Sequence, residues 1–145
     1  MKHKILTSHA ERTIAVVFDP GEEVIKPLTH FAQEHNIRAA RFTAIGAFSD
    51  AQLGYFDLET KEYIRIPVDE QVEVLSLIGD IAMEDNRPRL HAHVVVGKRD
   101  GSAHGGHLLS AHVRPTLEVL LIESPSYLVR RFNPTYGLGL IDISA

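Results

Sequence analysis

The sequence contains no cysteine, which excludes disulfides, thiolate catalysis and Cys-ligated metal. No run of roughly 18 apolar residues occurs, so no membrane-spanning helix is expected. The first residues, MKHKILTSHAERT, lack the apolar stretch of about 7–15 residues that a secretory signal requires. Basic excess is missing too: 15 Lys+Arg stand against 19 Asp+Glu, for a formal net charge of −4. That balance argues against a domain whose main affinity comes from neutralising phosphates. There is no block of like charge to serve as an interaction arm, no internal repeat and no Gly/Ser linker. G-x-S-x-G, G-x-x-x-x-G-K-[ST] and G-x-G-x-x-G are all absent, which leaves no nucleophile elbow and no phosphate cradle. The expectation is a cytoplasmic protein with no membrane contact.

What remains is 145 residues, 44% hydrophobic and 23% charged, with a mean hydropathy of −0.05. This suits one globular domain over residues 1–145. Thr13–Phe18 reads as a β-branched apolar strand. Asp19-Pro20-Gly21-Glu22-Glu23 resembles a helix start, and Val24, Leu28, Phe31 and Ala32 make one apolar stripe. Pro27 falls inside that pattern, so either the helix kinks there or its regular part begins near Lys26. Asn36 suits the left-handed position after the helix. Strands are then expected at 39–48, 52–56, 62–67, 72–78, 91–97, 106–109, 116–122 and 127–132, with a turn at Ser49-Asp50. One principal helix and about eight closely spaced strands predict an α+β fold with a mainly antiparallel sheet.

Histidine is over-represented: nine of 145 residues, five of them between positions 91 and 112. In HAHVVVGKRDGSAHGGHLL, His91 and His93 are two apart on a strand and project from one face. Arg99-Asp100-Gly101 suits a three-residue hairpin loop closed by a left-handed glycine. That register puts His107 opposite His93, and Leu109 opposite His91. Opposed side chains share a face with Cβ atoms about 5 Å apart, so three imidazoles converge, the protein ligand count of an open zinc site. From spacing alone they are either metal ligands or hydrogen-bonded strand histidines, and a slip of one residue would turn His107 away. His104 and His112 fall outside this set.

Two carboxylates sit on otherwise apolar strand faces: Glu118 with Leu120 and Ile122, and Glu73 with Leu75 and Leu77. Each is a candidate catalytic group, orienting a ligand or moving a proton near a metal. Each would serve equally well in a salt bridge to Arg65 or Arg114. Asp80, Glu84 and Asp85 read as loop charges. Thr116–Ile122 and Val72–Ile78 are largely apolar on both faces. One side can pack on the helix; the other calls for loops or a second subunit.

The stretch HAHVVVGKRDGSAHGGHLLSAHVRPTLEV resembles the PPC domain (plants and prokaryotes conserved), in the pattern H-x-H, Asp-Gly turn, G-G-H-L and V-x-P-T-x-E-V. Arg12, Gly21-Glu22-Glu23-Val24, Gly46 and Glu73-Val74-Leu75-Ser76-Leu77 extend the resemblance over essentially the whole chain. It implies an acetolactate-decarboxylase-like fold, a homotrimer, and a divalent metal, zinc, on His91, His93 and His107. Plant members bind DNA through an Arg-Gly-Arg-Pro hook that this sequence lacks. They also use a Gly-Arg-Phe-Glu-Ile-Leu segment for partners, where Glu70-Gln71-Val72 stand here in place of Gly-Arg-Phe. Two functions follow as expectations. One is a trimeric metalloprotein binding or acting on a small oxygenated molecule. The other is a DNA-associated or regulatory trimer without catalysis.

Overall fold

A computed structural model describes residues 2–7, 12–124 and 129–142, the first of these as backbone only. Strand 127–132 of the expected set therefore lies partly outside the described residues. The chain runs β1 (Lys2–Thr7), β2 (Thr13–Phe18), α1 (Ile25–Glu34), β3 (Ala40–Asp57), β4 (Glu62–Val68), β5 (Val72–Glu84), β6 (Arg87–Gly97), β7 (Ala103–Glu123), β8 (Val129–Asn133) and β9 (Leu138–Asp142). Among the described residues, all nine strands belong to one sheet, antiparallel except where β5 meets β8. The expected α+β class with one helix and a mainly antiparallel sheet is what the chain adopts.

Asp19-Pro20-Gly21 is a turn and not the helix start: Gly21 has φ +86° and the Glu22 N–H donates to the Asp19 carbonyl at 3.3 Å. The helix begins at Ile25, so Pro27 is its third residue, where the missing N–H has no intrahelical acceptor to lose. The Glu23 carboxylate accepts from the Ile25 and Lys26 N–H groups at 3.0 and 2.7 Å, satisfying two of the orphan donors. Asn36 takes the left-handed conformation at φ +54°, as its position predicts. Leu28, Phe31 and Ala32 are the buried stripe.

Two expected breaks are not breaks. Ser49 and Asp50 continue β3 through a register shift; they do not turn the chain. The Ser49 hydroxyl donates to Asp50 at 2.8 Å, and Asp50 meets the His112 Nδ1 across the strands at 2.8 Å. Likewise β7 runs unbroken from 103 to 123 through a cis Arg114–Pro115 bond. The ladder to β3 skips the proline, which has no N–H to give: Phe48 faces Val113 and Gly46 faces Leu117.

These bulges let long strands bend. β3, β5, β6 and β7 pair in a ring, each with two of the others. The inner face carries Phe42, Phe48, Leu53, Leu77, Val94, Val96, Leu117 and Leu121, all buried with the helix stripe in one core. The outer face is a different matter. Leu120, Thr43, Ile78 and His93 are opposed in a row across β7, β3, β5 and β6, and Leu120 and Ile78 are 52% and 57% exposed.

Candidate metal centre

β6 and β7 form the histidine hairpin in the predicted register. His93 faces His107, Val94 faces Gly106 and Val96 faces His104. The loop closes as expected: Lys98 N–H donates to the Ser102 carbonyl at 2.8 Å, Gly101 N–H donates to Lys98 at 2.9 Å, and Gly101 has φ +82°. One potential ligand atom from each of His91, His93 and His107 lies within 4.8 Å of the others.

Their chemistry suits a divalent ion. His91 Nε2 and His93 Nε2 are 3.2 Å apart, and two nitrogens about 2.0–2.1 Å from one tetrahedral ion stand roughly 3.4 Å apart. Burial, with the neighbouring His91 and His93 and the cations Arg89 and Arg130, pushes the His107 pKa down to about 4. Burial and His91 lower the His93 pKa as well. Neutral rings at neutral pH are the ligand form. His107 Nδ1 is buried and finds no hydrogen-bond partner among the described residues, an omission that costs about 1–3 kcal/mol if nothing fills it. The triad fits a metal.

Residues outside the hairpin hold it. Asp80 on β5 is directly opposite His91, with Oδ2 at 3.7 Å from Nδ1. Burial works to raise the Asp80 pKa, but His91 and Arg130 outweigh it and bring it below the usual carboxylate value. Arg130 on β8 donates Nη2 to both Asp80 oxygens at 2.6 and 2.9 Å and Nη1 to the Gly139 carbonyl at 2.9 Å. Its Nη2 also stands 3.3 Å from His91 Nδ1. Asp80 and Arg130 together hold the Nδ1 edge of the His91 ring, which turns Nε2 towards His93.

The triad opens onto a cavity of about 930 Å³, within the size range of small-molecule sites. Tyr63 packs against His107 with ring centroids 4.8 Å apart and the rings tilted by 32°. Lys61, Arg89 and the β8–β9 hairpin complete the walls.

The two candidate catalytic carboxylates are elsewhere. Glu73 is opposite Gly97 and Ala47, roughly 15 Å along β5 from the residue facing His93. Glu118 is opposite Val17 and Ile45, two residues along β7 from Leu120, the far end of the row that leads to His93. Both are exposed and neither lines the cavity. Among the described residues of one chain, the carboxylate in ion-pair range of the triad is Asp80, which is a strand residue and not a loop charge. A sequence signal for it exists. Asp85-Asn86, both at positive φ, is a two-residue hairpin turn that sets Glu84 against Arg87 and hence Asp80 against His91. Arg130 carries no such signal, because its approach depends on the tertiary fold.

Comparison with known proteins bears on this geometry. The profile of the Plants and Prokaryotes Conserved (PCC) domain matches residues 6–125. The chain belongs to that family. A metal-containing protein of Archaeoglobus fulgidus is similar at 35% identity and TM-score 0.83, over 97% of this chain and 96% of its own. A candidate DNA-binding protein of Bacteroides thetaiotaomicron is similar at 29% identity and TM-score 0.88, over 99% of both chains. A Staphylococcus aureus protein similar to α-acetolactate decarboxylase shares the fold at 13% identity and TM-score 0.54, over 84% of this chain and 53% of its own. No curated protein matches in sequence. Among the described residues no helix is long and apolar enough to cross a membrane.

Proposed function

We propose that this member of the PCC family is a cytoplasmic, homotrimeric metalloprotein. Its His91–His93–His107 centre binds zinc and takes a small oxygenated molecule. The observation that carries the reading is the meeting of three imidazole nitrogens within 4.8 Å at the wall of a cavity. The metal-containing relative supports it. A bound divalent ion supplies Lewis acidity or an activated water. The chain's own part is to favour the neutral form of His93 and His107, to hold His91 through Asp80 and Arg130, and to shape the cavity that admits the ligand.

The trimer rests on the outer sheet face. Ile78 and Leu120, in the row that ends at His93, and Ile45, two residues along β3 from that row, are more than half exposed there, and a face of this kind marks association. Glu73 and Glu118 lie on the same face, so closure on it brings them towards a neighbouring chain's site. That is the one setting in which the roles proposed for them are retained.

The test is chelation followed by zinc. Zinc added back should raise the melting temperature of the wild type and leave His107→Ala unchanged. Equal responses would contradict the site. The second reading, a DNA-associated trimer, is favoured by the Bacteroides relative. Retention on DNA that falls steeply between low and moderate salt would establish it.

A further inference from the structure

The cavity beside the triad is electrically lopsided. Among the described residues, Lys61, Arg89 and Arg130 line it against a single carboxylate, Glu84. Arg130 is matched from behind by Asp80. The other two cations are not matched in that way. Lys61 Nζ donates to the Pro134 carbonyl, a neutral partner, at 2.8 Å. Arg89 Nε stands 3.7 Å from Glu84 on a side chain that is 70% exposed, a contact that contributes little. The three imidazoles add no negative charge. Phe56, Leu109 and Phe132 make part of the remaining wall apolar.

Building on the small-molecule reading above, we propose that the ligand is a small organic carboxylate. Its charge sits against Arg89 and Lys61, its apolar body against Phe56, Leu109 and Phe132, and an oxygen faces the triad. The concavity decides against a phosphate backbone, which would need its cations spread along an open stripe. Apolar walls decide against a bare inorganic anion. Phe132 comes from the β8–β9 hairpin, beyond residues 6–125 that the family profile covers. That segment therefore sets a specificity which family membership does not by itself supply.

Mandelate and mandelamide differ in charge and in little else, and serve as a matched pair of probes. Calorimetric titration of both into zinc-loaded full-length protein should show mandelate bound at least about tenfold tighter. The preference should shrink with salt. Arg89→Gln and Lys61→Gln change exposed side chains, so both variants should fold. Each should weaken mandelate about fivefold or more and leave mandelamide unchanged. Zinc content of the same samples separates the two claims. Equal affinity for acid and amide at full zinc occupancy overturns the carboxylate and leaves the metal site standing. A mandelate preference that persists without zinc supports the carboxylate subsite on Arg89 and Lys61, whereas zinc content that stays near zero after added zinc contradicts the metal and not the carboxylate. No binding below about 10 mM, inorganic phosphate binding as tightly as mandelate, or displacement of mandelate by a short DNA duplex each overturns the proposal.

Discussion

Asp80 stands directly across β5 and β6 from His91, and Arg130 fixes that carboxylate with one nitrogen on both of its oxygens. The pair links a strand histidine to a charged partner that arrives from the far end of the chain. A carboxylate that holds the ring of a metal-binding histidine usually tunes metal affinity by about 10–100-fold. Asp80→Asn should therefore weaken zinc by about that factor in a competition titration with a chromogenic chelator. Asp85→Asn, in the adjacent turn, should leave zinc affinity unchanged. Equal affinity in Asp80→Asn and the wild type would mean that Asp80 serves the fold alone.

Gly79 precedes Asp80, and there is no room for a side chain. A Cβ there would sit 2.6 Å from the His91 carbonyl and 2.8 Å from Phe42 Cε1. Gly79→Ala should cost about 1–3 kcal/mol in denaturant unfolding and shift His91 enough to lower zinc affinity in the same protein. Unchanged stability would show that the ring of strands gives way more easily than its packing indicates.

The site was partly legible in the sequence, and the hairpin explains why. His91, His93, His107 and Gly101 lie within one local turn, where loop length fixes the register. The same logic at Asp85-Asn86 reaches Asp80, yet an aspartate after Ile78-Gly79 resembles the end of a strand and reads as loop. Ser49-Asp50 and Arg114-Pro115 have turn chemistry but occupy bulges, because strands on both sides hold β3 and β7 extended. Arg130, Arg89 and Tyr63 reach the site through tertiary packing that periodicity does not encode.

Acid should loosen the join between β2 and β7. The Arg12 guanidinium pairs with Glu123 and also donates to the His35 carbonyl at 3.0 Å. The Arg12 side-chain hydrogen bond outweighs burial and holds the Glu123 pKa below its ordinary value. Its contribution is thus complete above the unfolded pKa, near 4.3, and is lost as pH falls through the lower folded value. Glu123→Gln should destabilise by about 1–3 kcal/mol at pH 7. The difference from the wild type should shrink below about pH 4. A gap that stays constant on acidification would remove the ion pair from the explanation.

Assembly can be read by light scattering. The wild type should weigh about three times its 16.1 kDa chain mass at micromolar concentration. Leu120→Glu, on the exposed row that ends at His93, should lower that mass. A wild type at the mass of one chain would refute the trimer.

Metal content tests the central claim most directly. Protein purified without a metal-affinity column, dialysed and analysed by inductively coupled plasma mass spectrometry, should carry about one zinc per chain. The His91→Ala, His93→Ala and His107→Ala proteins should carry almost none. Fewer than about one metal per three chains in the wild type, with no gain after added zinc, would contradict the metal centre.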